Sequence, residues 1–280
     1  MGKGSNRRSF GDLKRKGAFM RGKELSQKLR DGTYVYGTHI TGPLNPLTPD
    51  WYAGAGLDFA FICNEHMPLD VSETSTMCKM FAAHGVSPMV RIPYPDARLA
   101  TLAVDFGAEG IVAPYVESAD ECREIVSALK YRPVKGRYLE ELVSGKKVIG
   151  KKLAEYLDKF NENLYFVAGI ESVYAIENLE KIIGAGGVSC VFLGPHDITC
   201  SMGIPLEYDN PGFISLMVDV VSRCRRMGVG VGMHGSATNP DYRPLLDAGA
   251  NFMLDAADIA KATDAYKENI KIRDRYNSGK

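Results

Sequence analysis

The stretch LYFVAGIESVYAIENLEKIIGAGGVSCVFLGPHDITC, from Leu164 to Cys200, decides the fold. It holds two short apolar runs, Leu164–Ile170 and Val188–Leu193, with a helix-like segment between them. Strand, helix, strand in that order is the unit of a parallel sheet. Each run is followed by an acid, Glu171 after the first and Asp197 after the second. Working outward, six more runs repeat the pattern: Tyr34–Thr38, Asp58–Cys63, Pro88–Ile92, Gly110–Ala113, Val229–Met233 and Asn251–Asp255. Eight strands alternating with helices in 280 residues predict one α/β domain, a TIM (β/α)8 barrel over residues 31–280.

Helix starts support this reading. Asp70 with Glu73 and Ser118 with Glu121 have capping-box spacing, and Asn239 followed by Pro240 places a cap before a first-turn proline. In the Ser118 segment, Cys122, Ile125, Val126 and Leu129 recur at helical spacing and form its expected buried stripe. The polar, basic connection from Arg132 to Gly150 reads as a long loop, a lid or an oligomer contact, ahead of a helix over Lys151–Asn161. Residues 1–30 read as a separate basic arm.

Charge and composition exclude several classes. Lys plus Arg and Asp plus Glu both total 34, so no chain-wide field recruits nucleic acid or an anionic membrane. No apolar run approaches the roughly 20 residues of a membrane span. Six cysteines without metal-ligand spacing suit a reducing cytoplasm. Arg7 and Arg8 hint at twin-arginine export, but LKRKGAFMRGKELSQKLR follows where an apolar region would be required.

Barrel chemistry sits in the loops after the strands. Those positions hold His39, Glu65, His66, Arg91, Pro114, Glu171, the turn Gly194-Pro195-His196-Asp197, His234 and Asp255, which include four of the five histidines. Glu171 and Asp197 end adjacent strands only about 4.8 Å apart, so both carboxylates can reach one hard cation such as Mg²⁺ or Mn²⁺. The alternative is that each acid serves the dipole of the helix it begins. His66 is either a packed residue or a base beside Glu65. Asp105, in LATLAVDFGAEG, is an acid amid apolar neighbours that orients an imidazole if the fold brings the two together. Arg91 offers a fork for a carboxylate.

NEHMPLD around His66, MVRIP around Arg91, DFGAEGIVAPYVES from Asp105, GIES around Glu171 and LGPHDITCSMG around Asp197 follow one another in order. Together, from about Gly32 to Ala260, they resemble the HpcH/HpaI family of metal-dependent class II 2-oxo-acid aldolases, in the pyruvate/phosphoenolpyruvate barrel group. The resemblance implies a divalent ion (Mg²⁺, Mn²⁺ or Co²⁺) on Glu171 and Asp197, and cleavage of a 4-hydroxy-2-oxo acid to pyruvate and an aldehyde through a metal-bound enolate. It implies that Arg91 stabilises oxygen charge, that His66 and Asp105 act as a proton-moving dyad, and that Gly194, Pro195, His196 and Asp197 bind substrate. It also implies a homo-oligomer, a hexamer built from dimers that exchange the segment Ala257–Tyr276.

Three departures mark this chain. Cys63 and Asn64 stand where the family has an acid and a small residue, Gly169 where it has a glutamine, and His196 where it has a small residue. They keep related metal-enolate reactions in view, oxaloacetate decarboxylation or acyl-CoA cleavage, with a non-catalytic binding protein as the reading from another class.

Overall fold

A computed structural model describes residues 20–43, 45–235 and 242–278. Its strands are β1 (Val35–His39), β2 (Phe59–Cys63), β3 (Ser87–Arg91), β4 (Gly110–Ala113), β5 (Tyr165–Ile170), β6 (Val188–Leu193), β7 (Gly230–His234) and β8 (Phe252–Asp255). All pair in parallel and in sequence order, and β8 returns to β1, so the sheet closes into a barrel. Each run read from the sequence is a strand, with its ends within one residue of expectation. The helices among them are α1 (Gly22–Asp31), α2 (Thr48–Ala55), α3 (Val71–Ala83), α4 (Ala97–Asp105), α5 (Ala119–Lys130), α6 (Gly136–Val143) and α7 (Lys151–Phe160). They continue with α8 (Val173–Glu177), α9 (Leu179–Gly184), α10 (Pro195–Ser201), α11 (Pro211–Arg226), α12 (Arg243–Asp247) and α13 (Asp258–Asn277).

Alternation along the strands divides the core in two. Phe59, Phe61 and Cys63 of β2, with Met89, Val112, Val167, Cys190, Phe192, Phe252 and Leu254, fill the barrel. Their neighbours Ala60, Ile62, Val90, Ile111, Ala168 and Val191 turn outward and bury the helices. Because inward positions recur every second residue, the next ones at the strand ends are polar and open onto the mouth.

The opposite end is closed by α1. Leu25 and Leu29 are fully buried in the inner core. Glu109, just before β4, accepts the Gly22 N–H at 2.8 Å and the Ser87 hydroxyl at 2.9 Å, and pairs with Arg21. Asn251 donates to the Leu29 and Thr33 carbonyls and accepts the Val231 N–H, tying the end of α1 to β7 and β8. The basic arm assigned to residues 1–30 is therefore corrected for residues 20–30. Their apolar stripe belongs to the barrel, because among the described residues it is Leu25 and Leu29 of this helix that cover the open end of the strands.

Both expected capping boxes, Asp70 with Glu73 and Ser118 with Glu121, are formed. Asn239 and Pro240 lie outside the described residues. In α5, Cys122, Ile125 and Leu129 are buried, and Val126 is half-buried. The connection expected as a long loop contains α6, whose Leu142 is buried. Leu142 supplies the buried contact of this short helix, while Val143 is exposed. Among the described residues no helix is long and apolar enough to cross a membrane. The last helix, α13, runs 20 residues without one buried side chain.

Candidate active site

Glu171 follows β5 and is buried, and Asp197 sits in the first turn of α10 after β6. Gly194, the extended residue before α10, brings them together. A Cβ there would stand 2.9 Å from Glu171 Cγ and 3.0 Å from Asp197 Oδ2, so the acids crowd the space that a side chain would take. The charge is poorly neutralised. Burial, then Asp197, then Glu65 push the Glu171 acid up to about 7, against the Tyr115 N–H and Arg91, which favour its anion.

The loop after β4 supplies that N–H. Tyr115 N–H donates to Glu171 Oε2 at 3.2 Å, and its hydroxyl donates to Glu65. The bond to Glu65, then burial, hold the Tyr115 phenol well above its ordinary value. Tyr115 has φ 54°, a left-handed conformation that a bulky residue adopts at a cost of roughly 1 kcal/mol or more. Gly169 lies beneath the same loop. A Cβ at 169 would meet Ala113 O at 2.6 Å and Pro114 Cα at 2.9 Å, while Val116 N–H bonds the Gly169 carbonyl at 3.0 Å. The glycine is therefore filled by backbone and does not open the pocket. Tyr115 escaped sequence reasoning because its role comes from one left-handed φ, which a non-glycine residue does not advertise.

Arg91 ends β3 over the Phe61 ring, 5.5 Å from the centroid. Its Nε lies 2.8 Å from Glu65 Oε2, but its N–H groups are aimed at Cys63 Sγ, with Nε at 3.3 Å and Nη2 at 3.1 Å. The His66 backbone N–H reaches the same sulfur at 3.3 Å. Cys63 thus occupies the place of the missing acid as an acceptor for Arg91. Asn64 turns away to Thr74 at 3.0 Å. The His66 ring is 63% exposed, and its Nε2 is 3.8 Å from Glu65 Oε1, so within this chain Glu65 is its acidic neighbour.

Asp105 is not brought to His66 within one chain. It is the last residue of α4, which starts after β3 at the mouth and descends to the other end of the barrel. There it accepts from Arg132 Nε at 3.0 Å and Nη2 at 2.6 Å. A helix of this length carries its last residue about 12 Å from its first. Asp255 is also committed elsewhere: burial pushes its acid up, but the bonds from Tyr36 and Lys261 outweigh this and hold it below the usual range.

A pocket of about 550 Å³ joins His66, Arg91, Glu171 and the turn Gly194 to Asp197 with His39 and His234. Among the described residues no three His, Cys, Asp or Glu side chains form a metal cluster. The two-acid set around Gly194, with Glu171 destabilised as an anion, nevertheless fits a divalent cation that takes its remaining ligands from water and substrate.

The model for the HpcH/HpaI aldolase/citrate lyase family matches residues 45–263. A 2-keto-3-deoxy-L-rhamnonate aldolase of Escherichia coli is 27% identical over 91% of this chain and 94% of its own length. A hydroxypyruvate/pyruvate aldolase of Deinococcus radiodurans is 29% identical over 84% of this chain and 85% of its own. The crystal structure of an HpcH/HpaI aldolase from Desulfitobacterium hafniense superposes with a TM-score of 0.75 at 30% identity, covering 89% of this chain and 95% of that one.

The raised Glu171 acid carries a stability signature. In the unfolded chain it ionises near 4.5 and in the folded chain near 7, so between these values the folded state holds the extra proton. In chelator, the contribution of this group to stability should therefore be fullest below about pH 4.5 and be lost as pH rises through 7, a change on the order of 3 kcal/mol. Thermal denaturation across that window should show the decline in wild type and a flatter profile in Glu171→Gln. Parallel profiles for the two proteins would contradict it.

Proposed function

Because the chain belongs to the HpcH/HpaI aldolase/citrate lyase family, we propose that it is a divalent-metal-dependent aldolase that cleaves, and in reverse forms, a 4-hydroxy-2-oxo acid. The products are pyruvate or a close 2-oxo acid and an aldehyde. The carrying observation is the pairing of Glu171 and Asp197 around Gly194 in one pocket with Arg91 and His66. The relatives named 2-keto-3-deoxy-L-rhamnonate aldolase and hydroxypyruvate/pyruvate aldolase, matched over most of their lengths, support the same bond type.

Glu171 and Asp197 would hold the cation, which when bound would supply positive charge to the carboxylate and 2-oxo oxygens of the substrate. First-turn N–H groups of a helix lack intrahelical acceptors, so those of His196 and Asp197 in α10 can receive the substrate carboxylate. Arg91, steered by Cys63 and Glu65, hydrogen-bonds the oxygen on C4 as it changes from hydroxyl to carbonyl. His66 takes the proton from that hydroxyl; the C3–C4 pair passes into the enolate, and the proton returns to C3. One proton moves from O4 to C3, and nothing else is required. The filled space at Gly169 adds no room for a bulkier thioester substrate.

Pyruvate methyl protons should then exchange with D₂O when Mg²⁺, Mn²⁺ or Co²⁺ is present, and Glu171→Ala should slow the exchange about 10²-fold or more. Exchange that persists in chelator or in that variant would contradict the assignment. We further propose self-association through α13, whose Ile259, Tyr266, Ile270, Ile272 and Tyr276 are exposed among the described residues. Light scattering should show an oligomer for the full chain and a smaller species after truncation at residue 256; a monomeric full chain would refute it.

A further inference from the structure

We propose that His39 and His234 form the acceptor subsite of the pocket and select an uncharged aldehyde that carries a hydroxyl group beside its carbonyl. The inference rests on the aldolase reading above. His39 ends β1 and His234 ends β7, on either side of β8, and their rings meet edge-on in a T-shaped arrangement with centroids 6.2 Å apart at 67°. His39 also sets its edge on the Phe61 ring at 5.4 Å, and the Arg91 guanidinium lies over that ring at 5.5 Å. Phe61 therefore spaces the histidine pair from the arginine. The pair lines the same pocket as the acids and Arg91.

Hydrogen-bonding capacity defines what the pair takes. Among the described residues His39 Nε2 is buried without a partner. An unmet buried nitrogen is costly, and a ligand atom that satisfies it is favoured. His234 Nε2 lies 3.0 Å from the Asp255 carbonyl oxygen. A carbonyl only accepts, so this nitrogen carries the proton, and in the neutral ring Nδ1 is left as an acceptor. One ring that accepts, beside another free to donate or accept, matches a hydroxyl, which does both.

Charge points the same way. Burial, with His234 and Arg91 adding to it, brings His39 down to about 4. The protein mass around His234 lowers it too, although one edge of the ring stays open at the mouth. At neutral pH neither ring offers a cation to a carboxylate or phosphate. Phe192, Met233 and Leu254 complete an apolar wall that would strip water from a charged acceptor without replacing it.

The test is aldol addition of pyruvate, with Mn²⁺ present, to glycolaldehyde, acetaldehyde and glyoxylate. Wild type should show a kcat/KM for glycolaldehyde about tenfold or more above either competitor. His39→Leu should bring the glycolaldehyde to acetaldehyde ratio to within about twofold of unity, while His39→Gln, which keeps a hydrogen-bonding group, should retain part of it. If His39→Leu does not fold, His234→Leu should collapse the same ratio. A wild type that prefers acetaldehyde or glyoxylate, or a leucine variant that keeps the ratio, overturns the inference. Exchange of pyruvate protons with D₂O needs no acceptor: its absence in wild type would remove the aldolase reading and this inference with it. Its presence with the wrong acceptor order would remove this inference alone.

Discussion

Two carboxylates share the space beside the one residue that has no side chain to oppose them. Glu171 and Asp197 converge at Gly194, where a Cβ would collide with both. Like charges brought together in a buried place resist ionisation. The local cation, Arg91, is already engaged by Glu65 and Cys63. This incompletely relieved negative charge makes the mouth of the barrel a place for a cation, and the surrounding features act to hold or moderate it. The Tyr115 N–H favours the Glu171 anion, and Glu65 anchors the Tyr115 hydroxyl that keeps that loop in its left-handed turn.

The rest of the fold makes that arrangement possible by being rigid elsewhere. The barrel interior is a continuous apolar core from Leu25 and Leu29 of α1 at one end to Phe61, Phe192 and Leu254 at the other. Alternation then dictates that the next inward positions, beyond the last apolar layer, are the polar ones at the strand ends. Glu109, buried under α1, performs the reverse task at the opposite end, where it ties the helix start to the strand that follows it. The fold thus separates Glu109, which stabilises one end, from Glu171 and Asp197, which are left in competition at the mouth.

Much of this was legible in the sequence, because period and punctuation carry the barrel. The eight runs, the two capping boxes and the acids after β5 and β6 needed only local patterns. What was not legible depends on distance along the chain. Asp105 has the surroundings of an orienting acid, but α4 carries it to the far end of the barrel and Arg132 takes it there. Tyr115 enters the site through one left-handed residue in a short loop. Residues 20–30 read as a basic arm because their charges are conspicuous, whereas the burial of Leu25 and Leu29 required the closed end of a barrel to exist first. Cys63 stood out in the sequence as a missing acid, and its sulfur accepts three N–H groups, two from Arg91 and one from His66.

The convergence of Glu171 and Asp197 on one cation is tested most directly by titrating Mn²⁺ into the chelator-stripped protein and following free Mn²⁺ by electron paramagnetic resonance. One ion should bind per chain in wild type, and Glu171→Gln and Asp197→Asn should each weaken binding about 10²-fold while keeping the wild-type circular dichroism. Unchanged Mn²⁺ affinity in both folded variants would contradict the site.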